Sequence, residues 1–157
     1  RQSAIGAFLA ICLLILLDFR SIGYTLLVLI PLAIGSFMAL GIMGLLNIPF
    51  NPANTIVVPL VLGIGVDDGV HLVHNYRLQR GQYSMPPSLA SSIVMTTLTT
   101  IIGFGSLMIA SHRGLESLGR VLVIGISACT FASLIVMPAV FTLLSTKNSA
   151  RSDENNT

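Results

Sequence analysis

The sequence predicts an all-α membrane protein, folded as a bundle of five transmembrane helices. Of its 157 residues, 54% are hydrophobic and only 9% are charged, whereas a soluble domain carries about 25% charged residues. The mean hydropathy is +0.88. Long apolar stretches follow one another along the chain and are separated by short polar connections, which is the pattern of a multi-pass membrane protein.

Each apolar stretch is expected to form one membrane-spanning helix. The first is short for a span, and three of the others contain a proline, which a membrane helix tolerates where neighbouring groups satisfy the freed carbonyl. The polar residues 146–157 are predicted to be a disordered cytoplasmic tail. The remaining residues, 1–145, are one predicted domain with spans at about 3–17, 22–46, 55–75, 89–110 and 118–144.

The distribution of basic residues predicts the orientation in the membrane. With five crossings, the connections on one side hold more Lys and Arg than those on the other, and the richer side should be cytoplasmic. The C terminus is therefore expected in the cytoplasm. The basic residues on the predicted cytoplasmic side are Arg20, Arg77, Arg80, Lys147 and Arg151.

Several classes of function are disfavoured by what the sequence contains. The net charge of +2 is too small to indicate a nucleic-acid partner. No nucleophile elbow, phosphate loop or zinc-protease pattern occurs, so we predict neither an enzyme nor a cofactor. Cys12 and Cys129 lie in apolar stretches and are predicted to be packing residues. Because the chain starts at Arg1 without a signal peptide, we expect it to be part of a longer protein.

Two adjacent carboxylates, Asp67 and Asp68, are the most informative residues of the sequence. At a helical rise of ~1.5 Å per residue, Asp67 lies about 18 Å into the third span, near the middle of a hydrocarbon core ~30 Å thick. A charge at that depth costs roughly 2.5–3.5 kcal/mol and usually marks an ion or proton pathway. Burial and a second carboxylate nearby both favour the protonated form. We therefore predict that the pair is a proton relay.

Three alternatives remain for the residues around this pair. The aspartates could bond serines and threonines on adjacent helices and have only a structural role. His71, one helical turn away, either extends the relay or lies at the membrane interface without a special role. A metal site formed with His71 and His74 is disfavoured, because all four side chains belong to one helix and nothing elsewhere completes the shell.

Small and hydroxylated residues form stripes on the predicted helices. Gly63, Gly65 and Gly69 thin the third helix and are predicted to leave room for water or to allow close packing with a neighbouring helix. We number the five expected helices α1 to α5 in chain order, so that the spans 89–110 and 118–144 are α4 and α5, and we call their small residues the α4 stripe and the α5 stripe. Both are expected to pack against other helices, and Thr96, Thr99 and Thr100 are also predicted to support the relay by bonding the acidic pair or its waters. The α4 stripe is Ser92, Thr96, Thr99, Gly103 and Ser106, and the α5 stripe is Gly125, Cys129 and Ser133.

The run Gly-Ile-Gly-Val-Asp-Asp-Gly-Val-His-Leu-Val-His at 63–74, with Tyr76-Arg77 after it, resembles the proton-relay helix of the resistance-nodulation-division (RND) superfamily. The closer resemblance is to the mycobacterial membrane protein large (MMPL) branch and its hopanoid-exporter relatives. The run 98–107, Leu-Thr-Thr-Ile-Ile-Gly-Phe-Gly-Ser-Leu, and the following 110–114 are similar to the next helix and loop of that branch. The resemblance covers nearly the whole chain.

This resemblance implies a function for the whole chain. The chain would be the C-terminal membrane part of an exporter of lipids or other hydrophobic molecules in the cell inner membrane, driven by the proton-motive force. Its partners would be protons, the membrane, the lipid substrate, and the N-terminal half and extracytoplasmic domains of the same transporter. The alternative is a sterol- or hopanoid-sensing or lipid-binding module without transport, because sterol-sensing domains are five-helix units of the same type.

Overall fold

The computed structural model describes residues 2–48, 52–79 and 83–154, and these residues form five α-helices with one short 3₁₀ helix. The all-α fold class is confirmed. The helices are α1 (Gln2–Phe19), α2 (Ile22–Leu45), α3 (Pro52–Leu78), α4 (Pro87–Gly105), which a 3₁₀ helix (Ser106–Ile109) continues, and α5 (Arg113–Glu154).

Four of these helices are long and apolar enough to cross a membrane. The candidate spans are Ile22–Leu45, Thr55–Leu78, Pro87–Ile109 and Arg113–Ser145, and α1 contributes a shorter apolar helix, Phe8–Phe19. The chain is therefore a multi-pass membrane protein, and α1 falls below the length of the other four helices, as its short apolar stretch predicts.

The helix boundaries extend beyond the predicted spans at several points. The third helix begins at Pro52 rather than at residue 55, and the fifth begins at Arg113 rather than at residue 118. Hydropathy marks only the apolar part of a helix, whereas backbone hydrogen bonds continue into its polar ends. The fifth helix also continues to Glu154, where the sequence predicts a disordered tail from residue 146. No Gly or Pro occurs between residues 139 and 154 to end it.

The fifth helix lies at the centre of the bundle. It contacts α2, α3, α4 and the 3₁₀ helix, while α1 packs against α2 and α3. The third and fifth helices run in the same direction, because Val61 faces Gly125 near their beginnings and Tyr76 stacks on Phe141 near their ends. Because α3 and α5 are parallel, residues that contact each other across them lie at similar depths in the membrane.

Two apolar clusters occupy the two ends of the bundle. One contains Leu72, Val73, Met137 and Phe141, and the other contains Val57, Val61, Leu122 and Ile126 with their neighbours. On α3 the residues between these clusters include the acidic pair, and on α5 they include Thr130 and Ser133. The bundle therefore has a polar layer between two apolar layers.

A cluster of three aromatic rings lies at one end of the bundle. The Tyr76 ring stacks on Phe141 with centroids 4.4 Å apart, and the Tyr83 ring meets Phe141 edge-on at 4.8 Å. Tyr83 belongs to the connection between α3 and α4, so this contact ties the connection to α5. Burial raises the pKa of the Tyr83 phenol.

Candidate functional site

Close contacts with α2 and α5 fix the position of α3 around the acidic pair. A Cβ on Gly65 would lie 3.0 Å from Cys129 Sγ and 3.0 Å from Leu32 Cδ1, and a Cβ on Gly69 would lie 3.1 Å from Val28 O. Gly65 and Gly69 share one helix face because they are four residues apart. A Cβ at either position would require its neighbours to shift by a few tenths of an ångström, so glycine favours this close approach of α3.

Gly63 does not share this packing role in the described part of the chain. It is exposed, and nothing lies within 4 Å of the position that its Cβ would occupy. Two residues turn an α-helix by about 200°, so Gly63 points away from the face that carries Gly65. Within this bundle the described contacts support close packing at Gly65 and Gly69, while close packing at Gly63 stays a prediction.

Asp68 faces the interior of the bundle. Its carboxyl group is half-buried, and Thr130 Oγ1 on α5 donates a hydrogen bond to Asp68 Oδ2 at 2.9 Å. The hydroxyl of Thr97 on α4 lies 2.9 Å from the hydroxyl of Thr130. A chain of three polar side chains therefore crosses from α3 through α5 to α4.

Asp67 faces the outside of the bundle. Its side chain is 73% exposed, and Asp67 Oδ1 lies 3.6 Å from His71 Nε2, which is too long for a hydrogen bond but close enough for an ion pair when the histidine is protonated. His71 is itself 62% exposed. The structure thus gives His71 an ion-pair partner in Asp67.

A small polar cavity lies between α3, α4 and α5. Its volume is about 80 Å³, and it is lined by both aspartates together with Thr96, Thr97, Thr100, Thr130, Ile64, Gly65 and Ile126. A cavity with this volume and this number of hydrogen-bonding groups is suited to water. It links the outward carboxylate to the inward one.

The three threonines predicted to support the relay differ in position. Thr96 and Thr100 line the cavity, whereas Thr99 points to the outer surface of α4. In the described hydrogen bonds, all three hydroxyls donate to backbone carbonyls of α4 itself. A hydroxyl bonded to its own helix leaves its oxygen available as an acceptor toward the cavity, which is the role that Thr96 and Thr100 can have.

The sequence reasoning missed Thr97 and Thr130, the two hydroxyls that connect to Asp68. A signal for Thr130 was present, because it lies about as far into the fifth span as Asp68 lies into the third. Thr130 stands one residue after Cys129 of the α5 stripe, and the spacing of four that defined the stripe excluded it. For Thr97 the sequence offers no signal that distinguishes it from Thr96.

Metal ligation receives no support from the described side chains. Among residues 2–48, 52–79 and 83–154, no three His, Cys, Asp or Glu side chains come together as metal ligands would. His74 is exposed on α3, beyond the buried residues Leu72 and Val73. The chemistry that the site can perform with its own groups is the acceptance and release of protons by carboxylates near hydroxyls.

Comparison with known proteins places this chain in a family. The family model described as "MMPL family" matches residues 2–157. The chain is 32% identical over 144 residues to a membrane protein of Methanocaldococcus jannaschii, MJ1562, a match that covers 86% of this chain and 37% of that protein. No solved structure matches the chain.

Two further relatives carry descriptive names. The hopanoid transporter HpnN of Rhodopseudomonas palustris is 33% identical over 139 residues, covering 88% of this chain and 16% of HpnN. Protein patched homolog 2 of Homo sapiens is 34% identical over 134 residues, covering 78% of this chain and 11% of that protein. The chain thus spans at most 37% of the length of these three relatives. The chain belongs to the MMPL family.

Proposed function

We propose that this chain is the C-terminal membrane part of an exporter of lipids or other hydrophobic molecules, driven by the proton-motive force through Asp67 and Asp68. The observation that carries the proposal is the position of this pair at a polar cavity between two apolar layers of the bundle. The hopanoid transporters among the relatives support a hydrophobic substrate.

The proposed mechanism uses the cost of a charge inside the membrane. A proton from the outer side neutralises one of the two carboxylates and removes a cost of roughly 2.5–3.5 kcal/mol. The neutral helix can then repack against its neighbours. Each unit charge that moves across 100 mV supplies about 2.3 kcal/mol, which is enough to shift a two-state bundle substantially.

The exposed outer face of α3 and α4 supports the N-terminal half of the same transporter as partner. Asp67, Gly63 and the α4 stripe are all exposed in the described chain. In a membrane, small residues on one face allow a close helix contact. We assign this face to the N-terminal half of the same transporter, with extracytoplasmic domains that handle the substrate and with the C terminus in the cytoplasm of a cell whose inner membrane holds the complex.

The test uses the complete protein in vesicles that contain a hopanoid as the test lipid and carry an imposed pH gradient. The variants are Asp67→Asn and Asp68→Asn, with Asp18→Asn as the matched control, because Asp18 is an exposed aspartate at the end of α1. We expect the first two to abolish gradient-driven extraction of the lipid and the control to leave it unchanged. Full transport by both Asp67→Asn and Asp68→Asn would rule out the relay.

A second candidate function is lipid binding without transport, and a specific cavity favours it. Between α2, α3 and α5 lies an apolar cavity of about 260 Å³, lined by Ala39, Met43, Val57, Val61, Val121 and neighbouring residues. An apolar cavity of this kind does not favour water and suits a hydrocarbon group. Photo-crosslinking of a sterol or hopanoid to these residues, in a wild-type protein that shows no gradient-driven transport, would support this second function over the first.

A further inference from the structure

The two aspartates occupy different surroundings although they are neighbours in the sequence. Asp67 is 73% exposed and has His71 beside it, while Asp68 is half-buried and accepts a hydrogen bond from Thr130. Successive residues of a helix point about 100° apart, so adjacent carboxylates cannot both face the same neighbour. The proposed function treats the pair as one relay, whereas the geometry separates an outward carboxylate from an inward one.

Thr130 is buried to a degree that is unusual for a polar residue of this bundle. Among the described side chains, three polar ones are buried, namely Thr25 at 8% exposure, Thr130 at 7% and Ser133 at 0%. The hydroxyl of Thr25 donates to the backbone oxygen of Ser21 in its own helix region. Of these three, Thr130 is the one whose hydroxyl reaches a carboxylate on another helix.

The direction of the hydrogen bonds follows from the number of hydrogens. A threonine hydroxyl has one hydrogen and two lone pairs. When Thr130 donates its hydrogen to an ionised Asp68, its oxygen can only accept from Thr97, so the donation runs from Thr97 through Thr130 to Asp68. When Asp68 is protonated, its own O–H can donate to Thr130, and the order of donation can reverse.

We propose that Thr130, connected to Thr97, is the positioning residue that makes Asp68 the carboxylate that loads and releases the proton, while Asp67 faces the partner surface. This inference rests on the proposed function and assigns different roles within its site. The proton passes from water in the cavity to Asp68 Oδ2 and returns to water, and no other bond is made or broken. Because the order of donation reverses, the hydrogen bond of Thr97 on α4 depends on the protonation state of Asp68 on α3.

Few other titratable groups surround Asp68. On α3 these are Asp67 and His71, and on α5 it is Cys129. The described α2 residues at this level are Val28 and Leu32, and α4 presents threonine hydroxyls. No described Lys or Arg lies in the cavity wall, so the hydrogen bond from Thr130 is the main stabilising contact of the ionised carboxylate that the described residues provide.

The test measures the protonation of each aspartate without requiring transport. Dicyclohexylcarbodiimide adds to protonated carboxyl groups, and mass spectrometry of the labelled peptide from the complete protein in liposomes reports the pH at which labelling of Asp68 is half-complete. In Thr130→Val we expect this midpoint to move toward alkaline pH by roughly one unit, a tenfold change, because a hydrogen bond to a charged group is lost. The midpoint for Asp67 should stay in place.

Three variants make the test specific. Thr130→Ser keeps the hydroxyl and should have the wild-type midpoint for Asp68. Thr97→Val should shift this midpoint toward alkaline pH, but by less than Thr130→Val. Thr25→Val is the matched control, because Thr25 is buried nearly as deeply as Thr130 but its hydroxyl donates to a backbone oxygen, and it should change neither midpoint. If Thr130→Val does not fold, Thr97→Val and Thr130→Ser still decide the question.

Two results would overturn the assignment. One is an unchanged Asp68 midpoint in Thr97→Val and Thr130→Val, and the other is an equal shift at Asp67 and Asp68. The proposed function fails in a different experiment, namely if Asp67→Asn and Asp68→Asn both transport fully. That result does not change the labelling midpoints of the threonine variants, which test the assignment of Asp68 by themselves.

Discussion

The fourth and fifth helices are both apolar spans with a stripe of small residues, yet α5 lies at the centre of the bundle and α4 at its outer surface. In α5, 56% of the most apolar segment is buried inside the structure, compared with 6% in α4. All three residues of the α5 stripe are buried, and all five of the α4 stripe are exposed. The same sequence signature thus marks the centre of the fold in one helix and its outer surface in the other.

This difference shows what a small-residue stripe can predict. Within a membrane, apolar side chains are equally compatible with lipid and with protein, so close packing rather than hydrophobicity selects the contacts between helices. A stripe therefore predicts that a helix will approach a neighbour closely, but it does not identify the neighbour. For the α5 stripe the neighbours are α2 and α3, and for the α4 stripe we propose a partner from the other half of the transporter.

The largest effect is expected from the buried side of α5. Phe141 is fully buried against Tyr76 and Tyr83, while Phe131, on the same helix, is 57% exposed. Phe141→Ala should lower the free energy of unfolding by about 3 kcal/mol, since a core phenylalanine leaves a cavity when it is truncated. Phe131→Ala should cost much less. Unfolding in mixed detergent micelles measures both, and equal losses would contradict the central position of α5.

A smaller effect should separate the two stripes directly. A Cβ on Gly125 of the α5 stripe would lie 2.8 Å from Val61 Cγ2, whereas nothing lies within 4 Å of the corresponding position at Gly103 of the α4 stripe. Gly125→Ala should therefore cost about 1–3 kcal/mol through overpacking. Gly103→Ala should be neutral or stabilising by up to about 1 kcal/mol because alanine favours the helix. A loss of stability in Gly103→Ala that matches Gly125→Ala would remove the contrast.

The smallest effect on stability is expected from a large residue on the α4 stripe. Gly103→Leu places a leucine where the described bundle leaves open space, so the free energy of unfolding should change by less than about 0.5 kcal/mol. Gradient-driven transport by the complete protein should nevertheless fall severalfold if the other half packs on this stripe. Ile102→Leu, also on the exposed side of α4, is the matched control and should transport normally. Normal transport by Gly103→Leu would argue against a partner at the stripe.

Much of the fold could be predicted from the sequence, because apolar stretches of membrane-spanning length have few alternatives to a helix. The site was predictable only in part. The depth of Asp67 and Asp68 follows from counting residues along one helix, but the bond between Asp68 and Thr130 joins residues that are 62 positions apart. Such a contact depends on how two helices rotate against each other, and the local pattern of neither helix fixes that rotation.

The sequence by itself determined that the chain is an all-α membrane protein with two carboxylates near the middle of one span, because composition and helical rise are local properties. The tertiary structure decided which carboxylate faces inward, which threonines reach it and which stripe is buried. The close packing of Gly65 and Gly69 against α2 and α5 sets the rotation of α3. That rotation turns Asp68 toward Thr130 and leaves Asp67 on the outer face.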